Sequence, residues 1–327
     1  MKAIGFTEYG GPGVLRFVEM ERPRPRPRDV LVRVRAVSVN PVDSKVRRGL
    51  RGGTLRPGEP RVVGWDVAGM VEEAGPEVRR FRPGDEVYAS GEGGRPGSYA
   101  EFVAVDERIA GHKPRSLSFE EAAAVPLVAV TAWEALVEQM GVPEGRGEGR
   151  RLLVLGGAGG VGSMAIQIGG KVLGLRVAAT ASRPESADFC WKMGADAVVD
   201  HSKDLAPQLP EGAEFILSCA EKPDWKALCG ILRPFGKICS ILPVPEADLS
   251  GLFQKRGTIS FEWMFGRTTF GVEPERQGAI LDRVAELLER KVLRSPLRRV
   301  LDWTEFRAAH EAIDTAHTVG KIVLRVS

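Results

Sequence analysis

Asparagine is almost absent from this chain: in 327 residues it occurs once, at Asn40. Depletion of thermolabile amides is a feature of thermophile proteins, and it makes the single retained Asn conspicuous. Cysteine is scarce too. Its four residues, at 190, 219, 229 and 239, show no C-x-x-C spacing, which excludes a disulfide-stapled secreted scaffold. Long apolar runs are missing; the longest, from Ala122 to Trp133, is interrupted by Pro126 and is too short to cross a bilayer. The N-terminal MKAIGFTEYG has no apolar signal core, so a cytoplasmic protein with free thiols and no membrane partner is expected. Charge of one sign is lacking as well. Forty-six basic residues nearly match 43 acidic ones, for a net charge of +3, and nucleic acid is not expected as a partner.

What remains is the composition of a globular protein, 43% hydrophobic and 27% charged, with length enough for two domains. Up to about residue 120 the signals are short strands and frequent turns. LVRVRAVSV within 30–39 alternates sides, and PGD at 83–85 marks a turn. This reads as a barrel-like antiparallel β domain. The PRPRPR run at 23–28 reads as a stiff connector between strands rather than a nucleic-acid arm, because no aromatics are interleaved with its arginines. Ser118 and Glu121 form a capping box, and a helix is expected over Thr131–Met140. Apolar strands then alternate with helices: 152–155, 175–181, 197–200, 214–219, 237–242 and 258–264. Near-continuous apolar strands between helices predict a parallel sheet covered on both faces. Helices at 273–291 and 304–316 precede a last strand, KIVLRV, that is free to return to the first domain.

The most informative segment is LLVLGGAGGVGSMAIQ at 152–167. Gly157, Gly159 and Gly162 form G-x-G-x-x-G between an apolar strand and a helix, with Ala158, Gly160 and Val161 completing the turn. In that context the pattern is a dinucleotide fingerprint. A side chain would keep the backbone from the pyrophosphate, whose charge is stabilised by free N–H groups at the helix start. At the end of the second strand an NAD site would place an acid; this chain has Thr180-Ala-Ser-Arg-Pro-Glu-Ser186. Arg183 can pair with a 2′-phosphate and Ser182 can donate to it, which favours NADPH. Ser182 and Glu185 also fit a capping box for the following helix.

The ordered motifs VSVNPVDSKVR (37–47), VVGWDVAG (62–69), RPGSYAEF (95–102), VPLVAVTAWEAL (125–136), GGAGGVGS (156–163), TASRPES (180–186), VVDHSK (198–203) and GKIVL (320–324) resemble the medium-chain dehydrogenase/reductase superfamily. Within it the chain is most similar to the zinc-free quinone oxidoreductase branch and its zinc-type alcohol dehydrogenase-like group. The resemblance implies an α/β fold: a Rossmann doubly wound parallel sheet plus a GroES-like β-rich catalytic domain built from both chain ends, the active site lying in the cleft. The expected domains are 1–124, 125–265 and a return over 266–327. It also implies a homodimer through the TISFEWM edge.

Zinc-dependent relatives hold their catalytic metal at three positions that here read Asn40, Trp65 and approximately Leu127, and the four-cysteine structural lobe is missing. Asn, Trp and Leu cannot supply the soft or borderline ligands zinc requires, so no zinc is expected. Without a Lewis acid the favoured reaction is hydride delivery to an electron-poor acceptor, a quinone or activated enone, whose oxyanion needs only hydrogen-bond donors. Asn40 is the leading catalytic candidate, although an Asx-turn before Pro41 also explains it. Asp43 and Lys45 follow on the same segment, and Lys45 can stabilise or protonate an enolate. The resemblance further places Thr131, His201, Ser218, Leu242, Phe265 and Lys321 at the cofactor, and Trp65 and Trp263 at the substrate pocket. Two other readings stand beside this one: a true zinc alcohol dehydrogenase, and a non-enzymatic NADPH-binding sensor or nucleic-acid-binding protein.

Overall fold

The structure, a computed structural model, describes residues 1–51 and 54–326. It consists of two compact units. The first comprises Met1–Leu127, Phe265–Lys291 and Ser295–Ser327; the second comprises Val128–Met264 and Val292–Arg294.

The first unit is built on a long central strand, Asp29–Val39. Its apolar residues turn inward at Val30, Val32, Val34 and Ala36, and the strand is long enough to serve two sets of partners. Its first half pairs antiparallel with Phe102–Asp106, and its second half pairs with Lys321–Arg325 near the C-terminus. That second pairing sets Ile322 opposite Val39 and so brings the chain's end beside Asn40. The sheet continues through Asp66–Ala74, Glu86–Ser90 and Ala110–His112 on one side and Leu297–Asp302 on the other. The PRPRPR segment carries no regular structure and links Arg16–Glu19 to the central strand, as a connector should.

The second unit is a six-stranded parallel sheet. Its order is Ala197–Val199, Arg176–Thr180, Arg151–Leu155, Ala213–Ser218, Leu232–Ser240, Thr258–Phe261. The chain winds outward from Arg151–Leu155 in one direction, then returns to add strands on its other side. The order therefore reverses between Arg151–Leu155 and Ala213–Ser218, where Leu155 pairs with Ser218. Doubly wound sheets bind ligands outside the carboxyl ends of the strands at such a point. Leu153, Ala178, Ile216, Ile238, Trp225, Leu228 and Leu252 form the core on one face.

Three local expectations are corrected. The strand expected over 258–264 ends at Phe261, because the last ladder bond is Glu262 N–H to Ser240 O and the chain then turns toward the Gly266–Phe270 helix. The helix expected over 131–140 starts earlier, as Pro126–Trp133, since proline is tolerated in a first turn. It then widens into a π-helical turn over Glu134–Gln139. Ser182 does not cap the following helix. Arg183 occupies the cap of Pro184–Met193 without a side-chain cap bond.

Candidate active site

In the second unit the glycine turn closes on itself. A Cβ on Gly162 would lie 2.2 Å from Gly156 O and 2.8 Å from the Gly157 Cα, and one on Gly157 would lie 2.7 Å from the Ala179 Cβ. Gly156 itself sits at φ +72°, where side chains are strained. The turn is tied to the neighbouring strand: Gly156 N–H donates to Thr180 Oγ1 at 3.0 Å, and Gly157 N–H to Thr180 O at 3.2 Å. The helix Gly160–Gln167 then starts with Gly159 as its cap and no capping side chain. The N–H groups of its first turn have no carbonyl one turn back in the helix. Three residues beyond Thr180, Arg183 is exposed and its Nη2 donates to Ser186 Oγ at 3.2 Å; Ser182 beside it is exposed as well. His201 is exposed just past Ala197–Val199. Ser218, at the carboxyl end of its strand, is fully buried, and its Oγ has no hydrogen-bond partner. An orphaned buried hydroxyl at the reversal point of the sheet and a cradle that any Cβ would fill both suit a dinucleotide.

In the first unit, Asn40, Asp43 and Lys321 converge with residues absent from the expected set. Asn40 ends the central strand and caps the helix Pro41–Arg47. Its backbone N–H donates to Asp43 Oδ2 at 2.7 Å, reaching the third residue of that helix. The two residues form a reciprocal capping box, and the Asn40 side chain also reaches distant partners. Oδ1 accepts from Lys321 Nζ at 2.5 Å, and Nδ2 donates to Asp66 Oδ2 at 2.8 Å and to Ser38 O at 3.4 Å. Asp66 also accepts from Ser38 Oγ at 2.5 Å and, through Oδ1, from Leu127 N–H at 2.7 Å. Lys321 Nζ donates to Val39 O at 3.0 Å and approaches Asp66 Oδ2 at 3.4 Å. Its ammonium thus has two close protein acceptors and a third at the edge of hydrogen-bond range. Burial pulls Lys321 below its ordinary value, and the charges of Asp66 and Asp43 oppose that shift.

Asp43 is fully buried. Tyr99 OH donates to its Oδ2 at 2.7 Å, while Oδ1 has no partner. Burial pushes its carboxyl up to about 7, against the hydrogen bonds from Asn40 and Tyr99 and the Lys321 charge. On the far side of Tyr99, the His310 ring meets the Tyr99 ring edge-on, centroids 5.8 Å apart. His310 Nδ1 faces Arg47 Nη1 at 2.9 Å. Arginine only donates, so this ring nitrogen accepts and the proton of neutral His310 sits on Nε2. Burial first, and Arg47 second, hold His310 down to about 3.

The remaining expected residues are dispersed. Lys45 is half-buried one turn into the Pro41–Arg47 helix. Trp65 is buried with its ring 5.5 Å from that of Phe265. Trp263 is 48% exposed. Thr131 is buried in the Pro126–Trp133 helix, and Leu242 is half-buried after its strand, bonded through its backbone to Ser240. Sequence reasoning gave no site role to Ser38, Asp66, Tyr99, Arg47 or His310. A signal existed for one pair: Asp66 and Lys321 are lone charges in the apolar segments VVGWDVAGM and KIVL.

For zinc the donor set does not fit. The amide oxygen of Asn40 is held by an ammonium, and Trp65 and Leu127 offer no ligand atom. Among the described residues no three His, Cys, Asp or Glu side chains are grouped to hold a metal ion. No helix among them is long and apolar enough to cross a membrane.

Comparison with known proteins agrees with this architecture. Residues 26–115 match the alcohol dehydrogenase GroES-like domain family, and residues 193–324 match the family described as zinc-binding dehydrogenase. A zinc-type alcohol dehydrogenase-like protein of Staphylococcus aureus is 34% identical over the full length of both chains. Among solved structures, a quinone oxidoreductase of Pseudomonas syringae superposes with a TM-score of 0.86 at 27% identity, covering 99% of each chain. Mycobacterial Rv1454c complexed with NADPH gives 0.86 at 28% identity over all of both chains. With a nucleotide-binding sheet, a GroES-like unit formed from both chain ends and relatives along its whole length, the chain belongs to the medium-chain dehydrogenase/reductase superfamily, in its quinone oxidoreductase-like branch.

Proposed function

We propose that this oxidoreductase is a zinc-independent, NADPH-dependent reductase of quinones or activated enones. The observation that carries the reading is the glycine turn: only a residue without a side chain fits at Gly162, and the turn leads directly into a helix start. NADPH, when bound, supplies a hydride. The chain's part is to hold and orient. Amides of Gly160, Val161 and Gly162 at the helix start suit the pyrophosphate, and the orphaned Ser218 hydroxyl lies at the sheet's reversal point. Arg183, solvent-facing beyond the Thr180 that anchors the turn, suits a 2′-phosphate, with Ser182 beside it. His201, Thr131 and Leu242 belong to the same proposed cofactor site.

At the acceptor, the Asn40 amide offers a hydrogen-bond donor to a developing oxyanion with the Lys321 ammonium behind it, and Trp65 against Phe265 offers an aromatic wall. Asp43 titrates around neutral pH, and Lys45 is a half-buried cation on the same helix. The open edge at Thr258–Phe261, with Phe261 and Trp263 exposed, supports a homodimer.

Titration calorimetry with NADPH and NADH, followed by turnover against a quinone and enone panel, tests this. The expected result is tighter binding of NADPH, a preference that Arg183→Ala abolishes, and turnover by protein whose metal content is far below stoichiometric. Tightly held zinc at one per chain, or saturable NADPH binding with no turnover on any acceptor, would overturn it.

A further inference from the structure

Lys321 is 3% exposed in a strand whose next three residues are all apolar. A buried ammonium loses its hydration, and a hydrophobic side chain of similar length is often neutral or stabilising in such a place. The ion-pair partner does not by itself account for it. Asp66 already accepts from Ser38, Asn40 and the Leu127 backbone at 2.5, 2.8 and 2.7 Å, whereas Lys321 stands 3.4 Å from it. The short contact of the ammonium is with a neutral group, the Asn40 amide oxygen, at 2.5 Å.

Resting on the reductase reading above, we infer that Lys321 is a positioning residue of that reaction, its buried ammonium fixing and polarising the Asn40 amide. An ammonium only donates, so the amide is locked with Oδ1 toward Lys321 and its NH2 toward Asp66 and Ser38. A cationic donor on the amide oxygen draws electron density from Nδ2 and strengthens its hydrogens as donors. One of those hydrogens is well committed to Asp66. The other reaches only Ser38 O at 3.4 Å, outside the usual hydrogen-bond range. Asn40 therefore carries an under-used donor, sharpened by the ammonium on its oxygen, with the Asp66 carboxylate on its other hydrogen offsetting part of that charge. A preorganised charge in a water-poor site favours the negative charge that develops on an acceptor oxygen, and it does so without direct contact.

Because Asn40 is the chain's one asparagine, selective 15N-amide asparagine labelling yields a single side-chain NH2 signal, readable without cofactor or substrate. In wild type that signal is expected to show two inequivalent protons; Lys321→Met is expected to shift it toward the position of a free amide, and Lys321→Arg to leave it close to wild type. In turnover, Lys321→Met is expected to lower kcat about 10- to 100-fold, the loss of one oxyanion donor's worth or less, with NADPH affinity within threefold. Lys321→Met alone strands the Asp66 charge, so Lys321→Met with Asp66→Asn serves as the folded comparison: it should recover the wild-type melting temperature and not kcat. An amide signal unmoved by Lys321→Met, recovery of kcat in the double variant, or a loss of NADPH affinity with kcat intact would overturn the inference while the reductase reading stands. Wild-type protein with the expected amide signal, bound NADPH and no turnover on any acceptor would instead overturn that reading, and with it the role assigned to Lys321.

Discussion

Replacing Asp43 by Asn should make the protein more stable than wild type at alkaline pH, although it removes a buried carboxylate that two donors address. Asp43 rises from an ordinary 3.8 to about 7 because burial penalises its charge more than Asn40 N–H, Tyr99 OH and Lys321 reward it. The native state thus binds this proton more tightly than the unfolded state. The associated stability is fully present below about pH 3.8 and is lost as pH rises through about 7. A shift of roughly three units corresponds to at most about 4 kcal/mol. Asparagine keeps an acceptor for Asn40 and Tyr99 and carries no charge. Its advantage over wild type should therefore grow by about 2–3 kcal/mol between pH 5 and pH 8. His310 also titrates, but it is common to both proteins and cancels in the difference. Urea unfolding and calorimetry of the two proteins across that range provide the measurement. A constant offset between them, or a gap that narrows as pH rises, would refute the reasoning.

His310, held down to about 3 from 6.5, has the opposite sign. Its contribution is present above about pH 6.5 and is lost as pH falls toward 3. His310→Gln, which retains an acceptor for Arg47, should lose less stability on going from pH 7.5 to pH 5, by about 2 kcal/mol, seen as a smaller drop in melting temperature; an equal drop would contradict it. Gly162→Ala should weaken NADPH binding at least tenfold in calorimetry, because its Cβ falls 2.2 Å from Gly156 O and the turn must open. Unchanged affinity would show that the turn is not the pyrophosphate site. Arg47→Met should cost more than about 3 kcal/mol in urea unfolding, since the fully buried guanidinium satisfies Gly10 O, His310 and Asp314 together; a loss under 1 kcal/mol would contradict the network.

The α/β class and the nucleotide-binding half are legible in the chain alone. Those features are written locally: apolar strands, helical stripes, and a glycine turn whose three spaced positions lie within six residues of one another. Element ends were less legible where tertiary contacts outweighed local preference, as at Phe261, where the ladder runs out, and at Arg183, which displaces Ser182 from the helix cap. The polar centre of the GroES-like unit is set by long-range pairing. Lys321 lies 281 positions from Asn40 and 255 from Asp66, and Arg47 lies 263 from His310. Pairing of the C-terminal strand with Asp29–Val39 brings the first of these pairs together. Local periodicity reports which face of an element is buried, whereas the partner that stabilises a buried charge depends on which distant strand lies alongside.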